Sequence, residues 1–148
     1  MGRGRLLLDE YLQENASFDR LLKEYKEYGC LYIGFDFDNT VYDFHKKGNT
    51  YTDVIGLLRD LKDIGCKLIC WTACKDPEFP RQYMIDNDIP FDSINEGGIP
   101  LESINSPKLM FSALLDDRAG LLQVFQELTI LVEKIKKVKH YESTIISR

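Results

Sequence analysis

The chain has 148 residues, of which 44% are hydrophobic and 29% charged. That balance suits one domain with a buried core and excludes a disordered or repeat-built chain. Nineteen Lys and Arg against 24 Asp and Glu leave a net charge of −5, so the composition as a whole does not advertise nucleic-acid or anionic-membrane binding. No apolar run approaches the ~20 residues of a membrane span. The apolar stretch near the start, set among Arg3, Arg5, Asp9 and Glu10, lacks a signal-peptide cleavage region, and the expectation is a cytoplasmic protein. Cys30, Cys66, Cys70 and Cys74 show no Cys-x-x-Cys pair and read as reduced, mostly buried thiols.

In chain order, residues 6–28 carry helical periodicity. Leu6, Leu7, Tyr11 and Leu12 form one apolar group, and Phe18, Leu21, Leu22, Tyr25 and Tyr28 form another. Ser17 is the expected N-cap of the second helix and Gly29 its stop. Cys30–Phe35 reads as the first central strand, running into Asp36-Phe37-Asp38-Asn39-Thr40. Tyr42–Thr52, with the turn-like Lys46-Lys47-Gly48-Asn49, predicts a short hairpin flap. Asp53 is the expected N-cap of a helix that buries Val54, Leu57, Leu58 and Leu61 and ends at Gly65.

Cys66–Trp71 predicts a second buried strand, and Pro77 opens a helix to Ile85 with Pro80 in its first turn. Ile89–Ile94, interrupted by Pro90, predicts an edge or partial strand. Residues 95–107 read as a loop and Leu109–Leu115 as a strand ending at Asp116-Asp117-Arg118. A last helix turns Leu121, Leu122, Phe125, Leu128, Val132 and Ile135 inward. Alternating strands and amphipathic helices predict an α/β fold of three layers around a mainly parallel sheet. The expected division is a helical extension over 1–29, a core over 30–139 and a tail over 140–148.

Polar residues at strand ends carry the chemistry, because open α/β sheets bind ligands at the carboxyl edge. Asp36 and Asp38 end the first strand, Asp116 and Asp117 end the last, and their crowding is offset by a hard divalent cation such as Mg²⁺. Thr72 offers a hydroxyl donor and Lys108 a cation for phosphate oxygens. Each of these residues, read singly, has an ordinary role: an Asp beside a loop caps or turns, a strand-end Thr caps, and a Lys is a solvated charge. The combination points to phosphate chemistry.

In this combination the chain resembles the haloacid dehalogenase-like hydrolase superfamily. Ile33-Gly34-Phe35-Asp36-Phe37-Asp38-Asn39-Thr40-Val41 is similar to the family's first motif, and Leu68-Ile69-Cys70-Trp71-Thr72 to its second. Lys108 matches the third-motif lysine and Leu114-Leu115-Asp116-Asp117 the acidic fourth motif, over about Ile33 to Leu121. A response-regulator receiver combines the same residue types, but its acidic pair comes early in the chain and here it comes last.

The resemblance implies a Rossmann-like core without a separate cap domain, since neither intermotif interval has room for one. It also implies Mg²⁺-dependent phosphomonoester hydrolysis, with Asp36 as nucleophile and Asp38 as general acid/base. Thr72 and Lys108 bind phosphate, and the metal is held by Asp36, the Asp38 carbonyl and Asp116, with Asp117 direct or water-mediated. The substrate is then a phosphorylated small molecule or an accessible terminal phosphate on a macromolecule, and the cleft is open or closed by a neighbouring subunit in a homo-oligomer. The alternatives are a nonenzymatic phosphate-binding or assembly module and a nucleic-acid end phosphatase. The latter would use Lys134, Lys136, Lys137 and Lys139, which helix C-terminal electrostatics also explain. Lys46 and Lys47 on the flap read as an exposed charged turn, with phosphate contact as the alternative; His45 is a minor candidate for substrate contact. Trp71 reads as core, with the border of the leaving-group pocket as the alternative, and Arg118 reads as either a partner of the acids or a helix-surface charge.

Overall fold

A computed structural model describes residues 9–100 and 108–146. Leu6, Leu7 and residues 101–107 of the expected loop lie outside them. Four strands, β1 (Tyr32–Phe35), β2 (Lys67–Cys70), β3 (Ser93–Ile94) and β4 (Ala113–Leu115), form one sheet in the order β3-β2-β1-β4. All three pairings are parallel. Four helices flank it: α1 (Ala16–Tyr28), α2 (Thr52–Asp63), α3 (Glu78–Asp86) and α4 (Leu121–Ile146). The fold is α/β and Rossmann-like. No helix among the described residues is long and apolar enough to cross a membrane.

Register explains the layers. Ile33 and Phe35 of β1 align with Leu68 and Cys70 of β2, and side chains in register share a face. These residues join Leu21 and Tyr25 of α1, Leu57, Leu58 and Leu61 of α2, Met84 of α3, and Leu128 and Leu131 of α4 in one buried cluster. Gly34 and Ile69, next in register, face the other way, where the described residues between β3 and β4, Gly97 against Ile69 and Phe111 against Gly34, cover the sheet as a third layer. A Cβ on Gly34 would come within 2.8 Å of the Phe111 ring, so the glycine lets that segment lie directly on β1. Gly98 turns the segment at φ +83°, and a Cβ there would meet the Met110 carbonyl oxygen at 2.7 Å.

Within the expected extension, α1 packs into the core. Leu21 is fully buried, and the Tyr25 hydroxyl donates to the Ile64 carbonyl at 2.6 Å, tying α1 to the end of α2. Gly29 closes α1 at φ 69° as expected, with its N–H on the Tyr25 carbonyl. Pro77 and Pro80 sit at the start of α3 as expected, and Pro80 is buried.

Several local expectations are corrected. Residues 10–12 form only a 3-10 turn, with Tyr11 and Leu12 exposed, and Tyr28 is exposed as well. Ser17 is not an N-cap: α1 starts after a left-handed Asn15, and the Ser17 hydroxyl instead donates to Glu127 of α4 at 2.9 Å. Asp53 is likewise inside its helix, in the first turn of α2 behind a left-handed Tyr51, where its charge suits the positive helix end. The expected hairpin at 42–52 is a set of turns. There the Phe37 carbonyl accepts from Thr40, Val41 and Tyr42, and the Asp43 carboxylate accepts from Gly48 N–H at 2.8 Å, so the backbone is satisfied without a second strand.

β4 is shorter than the apolar run that suggested it, because residues 108–111 belong to the covering segment, where Ile99 N–H reaches the Met110 carbonyl at 2.8 Å, while Ser112 N–H already donates to the Tyr32 carbonyl of β1; β3 is confined to Ser93–Ile94. On α4, Leu122 is exposed and Leu131 takes its place inside. That helix continues through Ile146, so residues 140–146 are helical and the four lysines lie within the helix instead of at its end.

Candidate active site

In the order β3-β2-β1-β4 the chain moves outward from β1 through β2 to β3, then returns to place β4 on the other side of β1. That reversal opens a crevice at the carboxyl ends of β1 and β4. Asp36 follows β1 directly, and its N–H donates to the Leu115 carbonyl at 2.8 Å, so the ladder delivers Asp36 beside Asp116. Beyond it the chain coils around the Phe37 carbonyl through a left-handed Asn39 (φ 61°). The Phe37 ring is buried, stacked on Tyr42 with centroids 5.0 Å apart and met edge-on by Phe79 and Tyr83. This aromatic group anchors the loop that carries Asp38.

Asp36, Asp116 and Asp117 each bring a carboxylate oxygen within 4.8 Å of the others. Thr40, wholly buried, ties them together. Its hydroxyl donates to Asp36 Oδ2 at 3.3 Å and accepts from Asp117 N–H at 3.3 Å. The Asp116 carboxylate accepts from Arg118 N–H at 2.9 Å, which fixes the turn into α4 by a local side-chain bond. Thr40 was not singled out from the sequence; the available signal was a hydroxyl four residues after the first acid, within one polar run.

Electrostatics follow from the crowding. Burial pushes the Asp36 carboxyl up to about 7, helped by a hydrogen bond with Asp117 and by the charges of Asp116 and Asp117. Asp38 is also raised, by burial and then by the Asp117 charge. Desolvation and like charge both favour the protonated acid. The two acids of the first motif therefore share one electrostatic neighbour.

Thr72 stands two residues past β2, the strand next to β1. Its N–H donates to Asn95 Oδ1 at 2.8 Å, and its carbonyl accepts from Asn95 Nδ2 at 2.8 Å. Its hydroxyl oxygen accepts from Cys74 N–H at 3.2 Å. Asn95 was not singled out either, since the partners are 23 residues apart. Lys108 is exposed, three residues before Phe111, whose ring meets Trp71 edge-on at 5.9 Å. The structure thus gathers Asp36, Asp116 and Asp117 in one cluster, sets Asp38 and Thr72 on the adjoining strand-end loops, and places Lys108 on the covering segment.

Other candidates have plainer surroundings. His45 is exposed with its ring against Phe44, and Trp71 is half-buried. Lys136 pairs with Asp60 and Asp63 at 3.2 and 3.6 Å, and the Lys134 ammonium lies over the Phe18 ring. All four cysteines are free, and burial pushes the thiols of Cys66 and Cys70 up to about 12.

No family model matches the chain, and no curated protein matches it. A solved structure, that of a conserved protein from Bacteroides thetaiotaomicron, superposes with a TM-score of 0.54 at 22% identity, covering 73% of this chain and 91% of that one. That similarity shows the fold.

Proposed function

We propose that this chain is a Mg²⁺-dependent phosphomonoesterase of the haloacid dehalogenase-like type, acting through an aspartyl-phosphate on Asp36. The observation that carries the reading is the cluster of Asp36, Asp116 and Asp117 within 4.8 Å at the carboxyl edge of a parallel sheet. Three carboxylates are a hard, all-oxygen donor set of the kind a divalent cation takes. Asp36 and Asp116, with the Asp38 carbonyl and Asp117 direct or through water, would hold Mg²⁺, which neutralises the acids and the incoming phosphate.

In this mechanism the ionised Asp36 attacks phosphorus, and the phosphorus–oxygen bond to the leaving alcohol breaks. Asp38 gives that oxygen its proton, then takes one from the water that cleaves the aspartyl-phosphate. The raised proton affinity of Asp38 suits a group that starts protonated. Thr72 and Lys108 orient the transferring oxygens. The substrate is a phosphorylated small molecule or a terminal phosphate on a macromolecule.

The test is turnover of p-nitrophenyl phosphate, phosphorylated metabolites and end-phosphorylated oligonucleotides, with Mg²⁺ and with EDTA. Turnover should require the metal, and Asp36→Asn should lower it by at least ~10³-fold. Undiminished turnover by Asp36→Asn, or equal rates in EDTA, would sink the reading.

A further inference from the structure

Asn95 sits one residue past β3 with a left-handed backbone, φ 56°, a conformation Asn tolerates better than other non-glycine residues. Its own N–H donates to the Cys70 carbonyl at 2.8 Å. There the main chain leaves the sheet, and the side chain takes over the pairing: the carboxamide donates to the Thr72 carbonyl and accepts from the Thr72 N–H, both at 2.8 Å. A primary amide presents one donor and one acceptor as a peptide group does, so Asn95 carries the β2–β3 pairing one rung further, to Thr72, two residues beyond the end of β2.

The consequence falls on the Thr72 hydroxyl. With its backbone pinned on the β3 side by Asn95, Thr72 accepts from Cys74 N–H through Oγ1, which occupies a lone pair and leaves the O–H free to donate elsewhere. We propose that Asn95 is a positioning residue that, by holding both backbone groups of Thr72, aims this hydroxyl at the phosphoryl group bound beside Asp36. The inference rests on the phosphatase reading above. Asn95 touches no reacting atom and acts only through Thr72. An Ala at this position leaves two strand-end backbone groups to water and lets the 71–75 turn rotate, while the carboxylates, on other strands, keep their places.

A double-mutant cycle tests this, with Thr72→Ala, Asn95→Ala and the pair, all in Mg²⁺. Two measurements are made: the dissociation constant of inorganic phosphate, and kcat and KM for p-nitrophenyl phosphate. Losing a hydrogen bond to a charged group should weaken phosphate binding by about 10–100-fold in Thr72→Ala. Asn95→Ala should lose roughly 5–10-fold alone but less than about twofold once Thr72 is Ala, with Mg²⁺ affinity within about twofold of wild type throughout. If Asn95→Ala is too unstable to assay, Asn95→Asp, which keeps the acceptor for the Thr72 N–H, replaces it in the cycle.

Multiplicative losses in the double variant, or a fall in Mg²⁺ affinity matching the fall in phosphate affinity, would make Asn95 a structural residue and overturn the proposal. Wild-type protein that turns over p-nitrophenyl phosphate but gives such a cycle sinks this inference alone. Wild-type protein that neither binds phosphate nor turns over the ester sinks the phosphatase reading and the inference together.

Discussion

Replacing Asp36 by Asn should make the metal-free protein more stable, although it removes the proposed nucleophile. Asn keeps an oxygen to accept from Thr40 and removes one charge from the three-acid cluster. The Asp36 carboxyl titrates at about 7 in the folded chain against 3.8 ordinarily. Between those values the folded state holds a proton that the unfolded state has released, so stability falls as pH rises from about 4 to 7 and stays low above it. At 1.36 kcal/mol per tenfold change, the full cost is roughly 4 kcal/mol. Asp36 is only half-buried, and solvent screening reduces that to about 1–2 kcal/mol.

Asp36→Asn should therefore raise Tm at pH 8 in EDTA by about 2–8 °C, at ~2–4 °C per kcal/mol. At pH 5 the gap should shrink to about a third, because little of the titration range then lies below the solution pH. Saturating Mg²⁺ should reverse the order, since a ligand at 100 times its Kd adds ~2.7 kcal/mol to the protein that binds it. Thermal melts of both proteins at pH 5 and 8, with EDTA and with Mg²⁺, are the assay. An Asp36→Asn protein no more stable than wild type at pH 8 in EDTA, or a gap equal at the two pH values, refutes the electrostatic argument.

Three further outcomes follow from the same geometry. Protons and cations compete for Asp36, so calorimetric Mg²⁺ affinity should fall about tenfold per pH unit below 7 and level off above it; a flat profile would mean that Asp36 is not a ligand. Leu21→Ala, at a fully buried position of α1, should cost about 2–5 kcal/mol in urea unfolding, and a loss under 1 kcal/mol would show that α1 is peripheral. Gly98→Ala combines a left-handed backbone with a clash on the Met110 carbonyl and should cost at least about 2 kcal/mol in the same assay, whereas a neutral result would mean that the covering segment shifts freely.

The parts of the fold legible in the sequence are those written in one stretch of chain. Apolar runs ending in Asp36, Thr72 and Asp116 located three strands, and the spacing of Val54, Leu57, Leu58 and Leu61 identified the buried face of α2. Helix starts were less legible, because α1 and α2 begin after left-handed Asn15 and Tyr51 without side-chain caps. Ser17 and Asp53 are of the right type for caps but lie one position inside their helices. The strand boundaries of β4 failed for a related reason: Leu109–Phe111 is as apolar as a strand, yet Met110 and Phe111 pack across the sheet in the covering segment. At the site, the acids were visible because each ends an apolar run, while Thr40 and Asn95 were not, since what sets them apart is a bond to a residue 77 or 23 positions away.

The cluster's cost and its use have one origin. The core gathers side chains from all four helices on one side of the sheet, and the three carboxylates are concentrated where β1 and β4 diverge. Such a site lowers the stability of the empty fold and raises the proton affinity of Asp36 towards neutrality. Any ligand that restores charge balance there, a proton or a divalent cation, must stabilise the protein, because it binds the folded arrangement and not the dispersed acids of the unfolded chain. Thermal stability therefore reports occupancy of this site without a known substrate. If Mg²⁺ stabilises wild type but neither Asp36→Asn nor Asp116→Asn, the acids bind metal as one centre; equal stabilisation of all three proteins would place the cation elsewhere and detach the phosphatase reading from the acidic cluster that supports it.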